Sequence, residues 1–184
     1  MSQLTTYEES APHTVRDVTT DHATITTRLA AIGVRFERWT ASVTLTPEAT
    51  DAAVIAAYRG DIDRLMTANG YQSVDVLRCL PDNPQRETLR AKFLNEHTHD
   101  DDEVRFFVEG GGMFYLRIGG AIHAVLCTRG DLISVPAHTR HWFDMGPLPH
   151  FTAVRLYISP EGWVANFTGD PIAAHLPAYN NKIV

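Results

Sequence analysis

Between residues 104 and 158 the chain carries six short runs rich in β-branched and aromatic residues: 104–108, 113–118, 121–127, 132–135, 141–145 and 152–158. Glycine punctuates them at Gly110-Gly111-Gly112, Gly119-Gly120, Gly130 and Gly146. The Gly119-Gly120 pair between two apolar runs is a two-residue hairpin signal. Strands this short and closely spaced bury their apolar sides by folding back on one another. The second half therefore predicts an antiparallel barrel or jelly roll.

The first half reads differently. Asp21 caps a predicted helix whose apolar positions Ile25, Leu29 and Ile32 fall at helical spacing, and Gly33 stops it. Residues 34–39 predict a short strand. A longer helix is expected from Thr46 as cap and Pro47 at its first position, with Val54, Ile55, Tyr58, Ile62, Leu65 and Met66 as its apolar stripe and Gly70 as its end. A strand over 74–80, a turn at Pro81-Asp82-Asn83-Pro84 and a short helix over 85–93 follow. The first twenty residues are polar, with an apolar cluster at 4–7 suited to an edge strand. The tail from Pro160 reads as loop packed across the barrel. Helices first and strands second around one core is a mainly β, α+β organisation. The expected division is a single domain over 1–184, with helices and flanking strands in 1–93, the barrel core in 94–158 and a covering segment in 159–184.

The densest chemistry lies where the two halves meet. Asn95-Glu96-His97-Thr98-His99 leads through Asp100-Asp101-Asp102 to Glu103 and Arg105, and His141 answers from a later strand. Residues two apart on a strand share a side, so His97 and His99 present both imidazoles to the barrel interior. Glu103 reaches the same point once the chain bends through the acidic run. Three nitrogens and one carboxylate suit Fe(II), Ni(II), Mn(II), Co(II) or Zn(II). Fe(II) or Ni(II) would keep two cis positions free, as a bidentate oxygen substrate needs. His-x-His alone is weak. The offset of Glu103, then Gly110, then Gly130, Pro136 and His141 make the pattern specific.

Composition narrows the partners. Lys plus Arg is 16 against 22 Asp plus Glu, a net charge of -6, which argues against nucleic acid and anionic membrane. No apolar run is long enough to span a bilayer, and the N-terminus lacks the features of a signal peptide. Cys79 and Cys127 form no Cys-x-x-Cys pair and are expected to be buried, free and in a reducing cytoplasm. No strong self-association signal is present, so a monomer is expected.

His97-Thr98-His99, Glu103 and Gly110 resemble the first motif of the cupin superfamily, and Gly130, Pro136 and His141 the second. The second motif departs at His138, where glycine is usual, and at Met145, where asparagine is usual. The strings 93–99, 103–110, 132–146 and 160–163 closely resemble the acireductone dioxygenases, over roughly residues 34 to 170. The resemblance implies a cupin-type barrel and an enzyme of methionine salvage that cleaves 1,2-dihydroxy-3-keto-5-methylthiopentene with O2 as co-substrate. In that family Fe(II) yields formate and 4-methylthio-2-oxobutanoate, whereas Ni(II) yields 3-methylthiopropanoate, formate and carbon monoxide. The matching ligands here are His97, His99, Glu103 and His141, for one metal per chain.

Roles for neighbouring residues follow. Arg105 should face the same interior as Glu103 and stabilise enolate and oxyanion charge. Glu96 is expected to orient a ligand or bond the substrate, and Asp102 to accept a proton. Phe93, Phe143 and Trp163 are expected to wall the methylthioethyl tail, with ordinary core packing as the alternative. Arg155 faces inward if Val154 and Leu156 face the helices, as a second cation or a structural ion pair. The rivals are another cupin enzyme, such as a sugar-phosphate isomerase, and a non-catalytic cupin sensor. The first wants more inward cations than Arg105 and Arg155, since Arg117 alternates to the other face. The second often loses ligands.

Overall fold

The computed structural model describes residues 1–46, 48–159 and 163–180. In chain order the elements are β1 (Gln3–Glu8), β2 (Ala11–Thr19), α1 (His22–Ala30), β3 (Arg35–Arg38), α2 (Asp51–Ala57), α3 (Arg59–Asn69), β4 (Ser73–Cys79) and α4 (Arg86–Phe93). There follow β5 (His97–Thr98), β6 (Glu103–Ile118), β7 (Ala121–Thr128), β8 (Asp131–Val135), β9 (Arg140–Asp144), β10 (Phe151–Tyr157), β11 (Asn166–Phe167) and a 3-10 helix, Pro171–His175. The result is an antiparallel jelly roll with helices packed outside, as the strand pattern predicts.

β6 belongs to both sheets. Its first half pairs with β8 and β10, and its second half with β7 and β9. Outward from β6, one sheet adds β3 beside β8 and β4 beside β10. The other runs β11-β5-β9-β6-β7-β1-β2. The glycine triplet, read from sequence as a break between two strands, is instead the bend inside one. Gly110 has φ 65°, and a Cβ there would lie 1.7 Å from the His150 carbonyl oxygen. At Gly112 a Cβ would lie 2.3 Å from the Phe143 ring. Glycine lets the strand turn between sheets under close packing.

Alternation along β6 sorts its side chains. Phe107, Phe114 and Leu116 point into the core between the sheets. Val104 and Phe106 point outward to meet Val54, Tyr58, Ile62 and Leu65 of the helical layer. Tyr115 points out of the other sheet, where Ile172 and Leu176 cover it together with Trp142. Burying each such apolar side chain contributes about 1.5–3 kcal/mol. The inner face near the start of β6 is polar instead, and there the functional site lies.

Local signals held in part. The Asp21 side chain accepts from Thr24 N, and Gly119 and Gly120 both have the positive φ of a two-residue hairpin turn. The single helix expected after Thr46 is two. Thr50 caps the first, its side chain accepting from Ala53 N, and Tyr58 breaks the run at φ −115° and meets Phe106 edge-to-face, with ring centroids 4.5 Å apart. Pro47 lies outside the described residues. The polar N-terminus forms the β1–β2 hairpin, with β2 at the sheet edge. The tail is more ordered than a loop: β11 pairs with β5, and Asp170 caps the 3-10 helix. Pro160, Glu161 and Gly162 lie outside the described residues. Cys79 and Cys127 are buried and free. Among the described residues no helix is long and apolar enough to cross a membrane.

Candidate metal centre

β5 brings His97 opposite His141 of β9, and Glu103 opens β6 beside them. His99 follows β5 by one residue. All four side chains are buried, and their ligand atoms lie within 4.8 Å of one another.

The outer nitrogens decide which atoms face inward. His97 Nδ1 lies 2.7 Å from the Asn95 carbonyl, His99 Nδ1 2.7 Å from that of Val164 and His141 Nδ1 2.7 Å from that of Thr139. A carbonyl oxygen only accepts, so each Nδ1 carries a proton and donates. In a neutral ring Nε2 is then a bare lone pair. Yet Nε2 of His99 and of His141 each lie 3.0 Å from Glu103 Oε2. A lone pair against a carboxylate oxygen repels unless a proton or a cation sits between them. Two donors each about 2.1 Å from one ion, at about 90° to each other, lie about 3.0 Å apart. The residues present therefore fit a single divalent metal.

Electrostatics without metal agree. Burial pushes His97 down to about 4, with His141 beside it adding to the effect. Burial also pulls His99 down, but hydrogen bonding and attraction from Glu103 outweigh it and leave His99 raised. Burial alone would raise Glu103. The Arg105 charge and the two imidazoles instead hold it well below the carboxylate range.

Arg105 shares the inward face with Glu103, as the alternation requires. Its Nη2 donates to Glu103 Oε1 at 2.8 Å, and its guanidinium lies over the Phe143 ring, 4.4 Å from the centroid. Its Nε and Nη1 are buried without an acceptor among the described residues. Such orphan donors are unfavourable unless a ligand supplies the acceptors.

A cavity of about 390 Å³ opens over these groups. Phe93, Phe143, Arg155 and Trp163, all expected at the site, line it. Arg155 is held by Asp75, with Nε 2.8 Å and Nη2 2.6 Å from its two oxygens. Two expected residues stand outside the cavity lining, which speaks against substrate contact by Glu96 but not against its orienting a ligand. Glu96 turns to the other side of its strand, where Arg117 Nη1 donates to Oε2 at 3.0 Å and Thr168 Oγ1 to Oε1 at 2.8 Å. Asp102 accepts from Ala137 N at 3.0 Å and from Tyr71 OH at 3.2 Å, which engages its carboxylate outside the cavity wall. Sequence reasoning missed Asp75, Leu89, Lys92, Tyr157 and Phe167 in the lining. Leu89 and Phe93 are four apart on α4, and Tyr157 is two beyond Arg155, so spacing carried a signal for both.

A profile described as the "ARD/ARD' family" matches residues 3–165. The chain belongs to this family. Acireductone dioxygenases from Parvibaculum lavamentivorans and Serratia proteamaculans are each 56% identical to it, over 182 residues (99% of both chains) and 177 residues (96% of this chain, 98% of the other). A solved structure, the acireductone dioxygenase from Bacillus anthracis with a cadmium ion in its active centre, superposes with a TM-score of 0.79 at 30% identity, covering 91% of this chain and 98% of that one. The family match begins at residue 3, so it takes in the β1–β2 hairpin, which the motif resemblance did not reach.

Proposed function

We propose that this family member is itself an acireductone dioxygenase, holding one Fe(II) or Ni(II) on His97, His99, Glu103 and His141. With Fe(II) it converts 1,2-dihydroxy-3-keto-5-methylthiopentene and O2 to formate and 4-methylthio-2-oxobutanoate. With Ni(II) it forms 3-methylthiopropanoate, formate and carbon monoxide. One observation carries the reading: three imidazole lone pairs and a carboxylate converge beside a buried guanidinium whose Nε and Nη1 have no acceptor among the described residues. Family membership and the full-length relatives support it.

When bound, the metal supplies Lewis-acid and redox chemistry and a template for two substrate oxygens. The chain's own residues do the rest. The substrate is an acidic enediol and arrives as an anion. Arg105 offers Nε and Nη1 to its oxygens, and Glu103 and Phe143 already hold the guanidinium plane, so little reorganisation accompanies the reaction. Arg155, braced by Asp75, adds a second positive group at the cavity wall. Phe93, Phe143 and Trp163 form the wall for the methylthio tail, where each sulfur–ring contact contributes about 0.3–1.5 kcal/mol. The same rings exclude water from the reacting carbons. Two buried free cysteines suit a reducing cytoplasm, and the reading takes the chain as a monomer acting on a small molecule.

The test is metal-stripped protein reloaded anaerobically with Fe(II), then given an acireductone and O2. Rapid loss of enediolate absorbance with stoichiometric formate is expected, and carbon monoxide on repeating with Ni(II). No loss above the uncatalysed background, with metal shown to be bound, overturns the reading.

A further inference from the structure

Arg117 stands on the opposite side of β6 from the metal centre, and nothing in the proposed reaction uses it. Its guanidinium nevertheless joins three separate stretches of chain. Nε donates to Glu9 Oε1 at 2.8 Å, and Nη1 donates to Glu96 Oε2 at 3.0 Å and to Asp170 Oδ2 at 2.8 Å. The Glu96 side chain is wholly buried and immediately precedes the ligand His97. The other Glu96 oxygen accepts from Thr168 Oγ1 at 2.8 Å, and its carbonyl accepts from Thr168 N at 3.0 Å. Asp170 keeps its second oxygen for Ile172 N, the start of the 3-10 helix.

The segment so anchored, residues 163–170, reaches back to the centre at three points. The Val164 carbonyl accepts from His99 Nδ1 at 2.7 Å. Phe167 pairs by backbone with His97. Trp163 lines the cavity, and its Nε1 donates to the Asp102 carbonyl at 3.0 Å.

We propose that Arg117 is a positioning residue for the metal centre: through Glu96 and Asp170 it clamps the ligand strand to the 163–170 segment and so fixes the imidazoles of His97 and His99. It acts on His97 through the neighbouring backbone and on His99 through the Val164 carbonyl. A planar fork with several donors is needed to hold carboxylates from three directions, which a lysine point charge does not supply. The inference rests on the metal reading of the site and not on the reaction.

Co(II) is the probe, since its ligand-field spectrum reports the arrangement of its ligands with no substrate present. Metal-free protein is titrated with Co(II) against a competing chelator. Arg117→Gln is expected to weaken Co(II) binding about 10–100-fold, the range for groups that orient metal ligands, and to shift the visible bands. Arg117→Lys restores part of the loss. If Arg117→Gln does not fold, the exposed Thr168→Val and Asp170→Asn serve instead, since Asn retains the capping oxygen. Each is expected to weaken binding several-fold. Parental affinity and spectrum in folded Arg117→Gln, or failing that in both exposed variants, overturns the proposal. Loss of all Co(II) binding by the parent sinks the metal reading beneath it. A parent that binds Co(II) but does not cleave an acireductone sinks the reaction alone.

Discussion

Arg90 of α4 forks onto Asp144 of β9, with Nε 2.8 Å from Oδ1 and Nη2 3.0 Å from Oδ2. No residue of α4 is fully buried, and Leu89 and Phe93 are only half-buried against the core, so this pair adds a second, polar tie between the helix and the sheet. The helix also carries Leu89, Lys92 and Phe93 of the cavity wall. Arg90→Met leaves a fully buried carboxylate with, among the described residues, only the backbone donors of Gly146 and Tyr179. The expected loss is about 3 kcal/mol in urea unfolding, at the low end for a broken buried pair. KM for the acireductone should rise more than kcat falls, because the wall moves and the metal does not. A loss within about 0.5 kcal/mol, as for an ordinary surface change, with KM unchanged, would show that α4 is held another way.

His99→Ala and Arg105→Ala separate metal binding from turnover. The first removes one of four convergent ligands and should give a folded protein that elemental analysis finds metal-poor and nearly inactive. The second leaves the ligands in place, removes the buried donors, and should keep its metal while kcat falls about 10²–10³-fold. Full metal occupancy in His99→Ala removes that residue from the ligand set. Unchanged turnover in Arg105→Ala removes the guanidinium from the mechanism.

The metal-free protein should be most stable near pH 6.5. Burial and the neighbouring His141 hold His97 at about 4 against an ordinary 6.5, so the unfolded chain binds a proton across that interval and the folded chain does not. The stability this gives is complete above 6.5 and lost as pH falls to 4, about 3 kcal/mol for a shift of that size. His99 behaves oppositely: despite its burial, Glu103 raises it, so its contribution is present below 6.5 and lost as pH rises through the raised value. Urea unfolding of chelator-treated protein from pH 4.5 to 8.5 measures both limbs. His97→Gln should flatten the acid limb and His99→Gln the alkaline one. A profile flat across that range contradicts both assignments.

The convergence of His97, His99, Glu103 and His141 was readable because strand parity and motif spacing are both local. Parity also explains which residues lie off the cavity. His97, His99, Glu103 and Arg105 share the inward side of their strands, whereas Glu96 and Asp102 sit one residue off and turn away to Arg117 and to Ala137. Asp75 was out of reach for another reason. It meets Arg155 only through the register of β4 on β10, which no local pattern encodes. The glycine triplet misled because glycine serves turns and close approaches alike. Only the packing of His150 and Phe143 against it shows which applies.

His138 stands where the cupin pattern usually has glycine, and its φ is +62°. A side chain in that region is unfavourable by about 1–2 kcal/mol. The conformation persists because His138 N donates to the His99 carbonyl at 2.8 Å, holding the backbone of a metal ligand. The ring itself is largely exposed, 3.8 Å from Asp100, a contact of little weight. His138→Gly should remove the strain while keeping the backbone bond. Greater freedom in the unfolded chain returns about 0.5–1 kcal/mol of that, so the net gain should be about 0.5–1 kcal/mol. Metal content should not change. His138→Val, β-branched at the same φ, should instead destabilise and loosen metal through the His99 backbone. Urea unfolding and metal analysis of the two variants side by side provide the check. A glycine variant less stable than the parent would mean that the imidazole contributes more than its exposed position suggests.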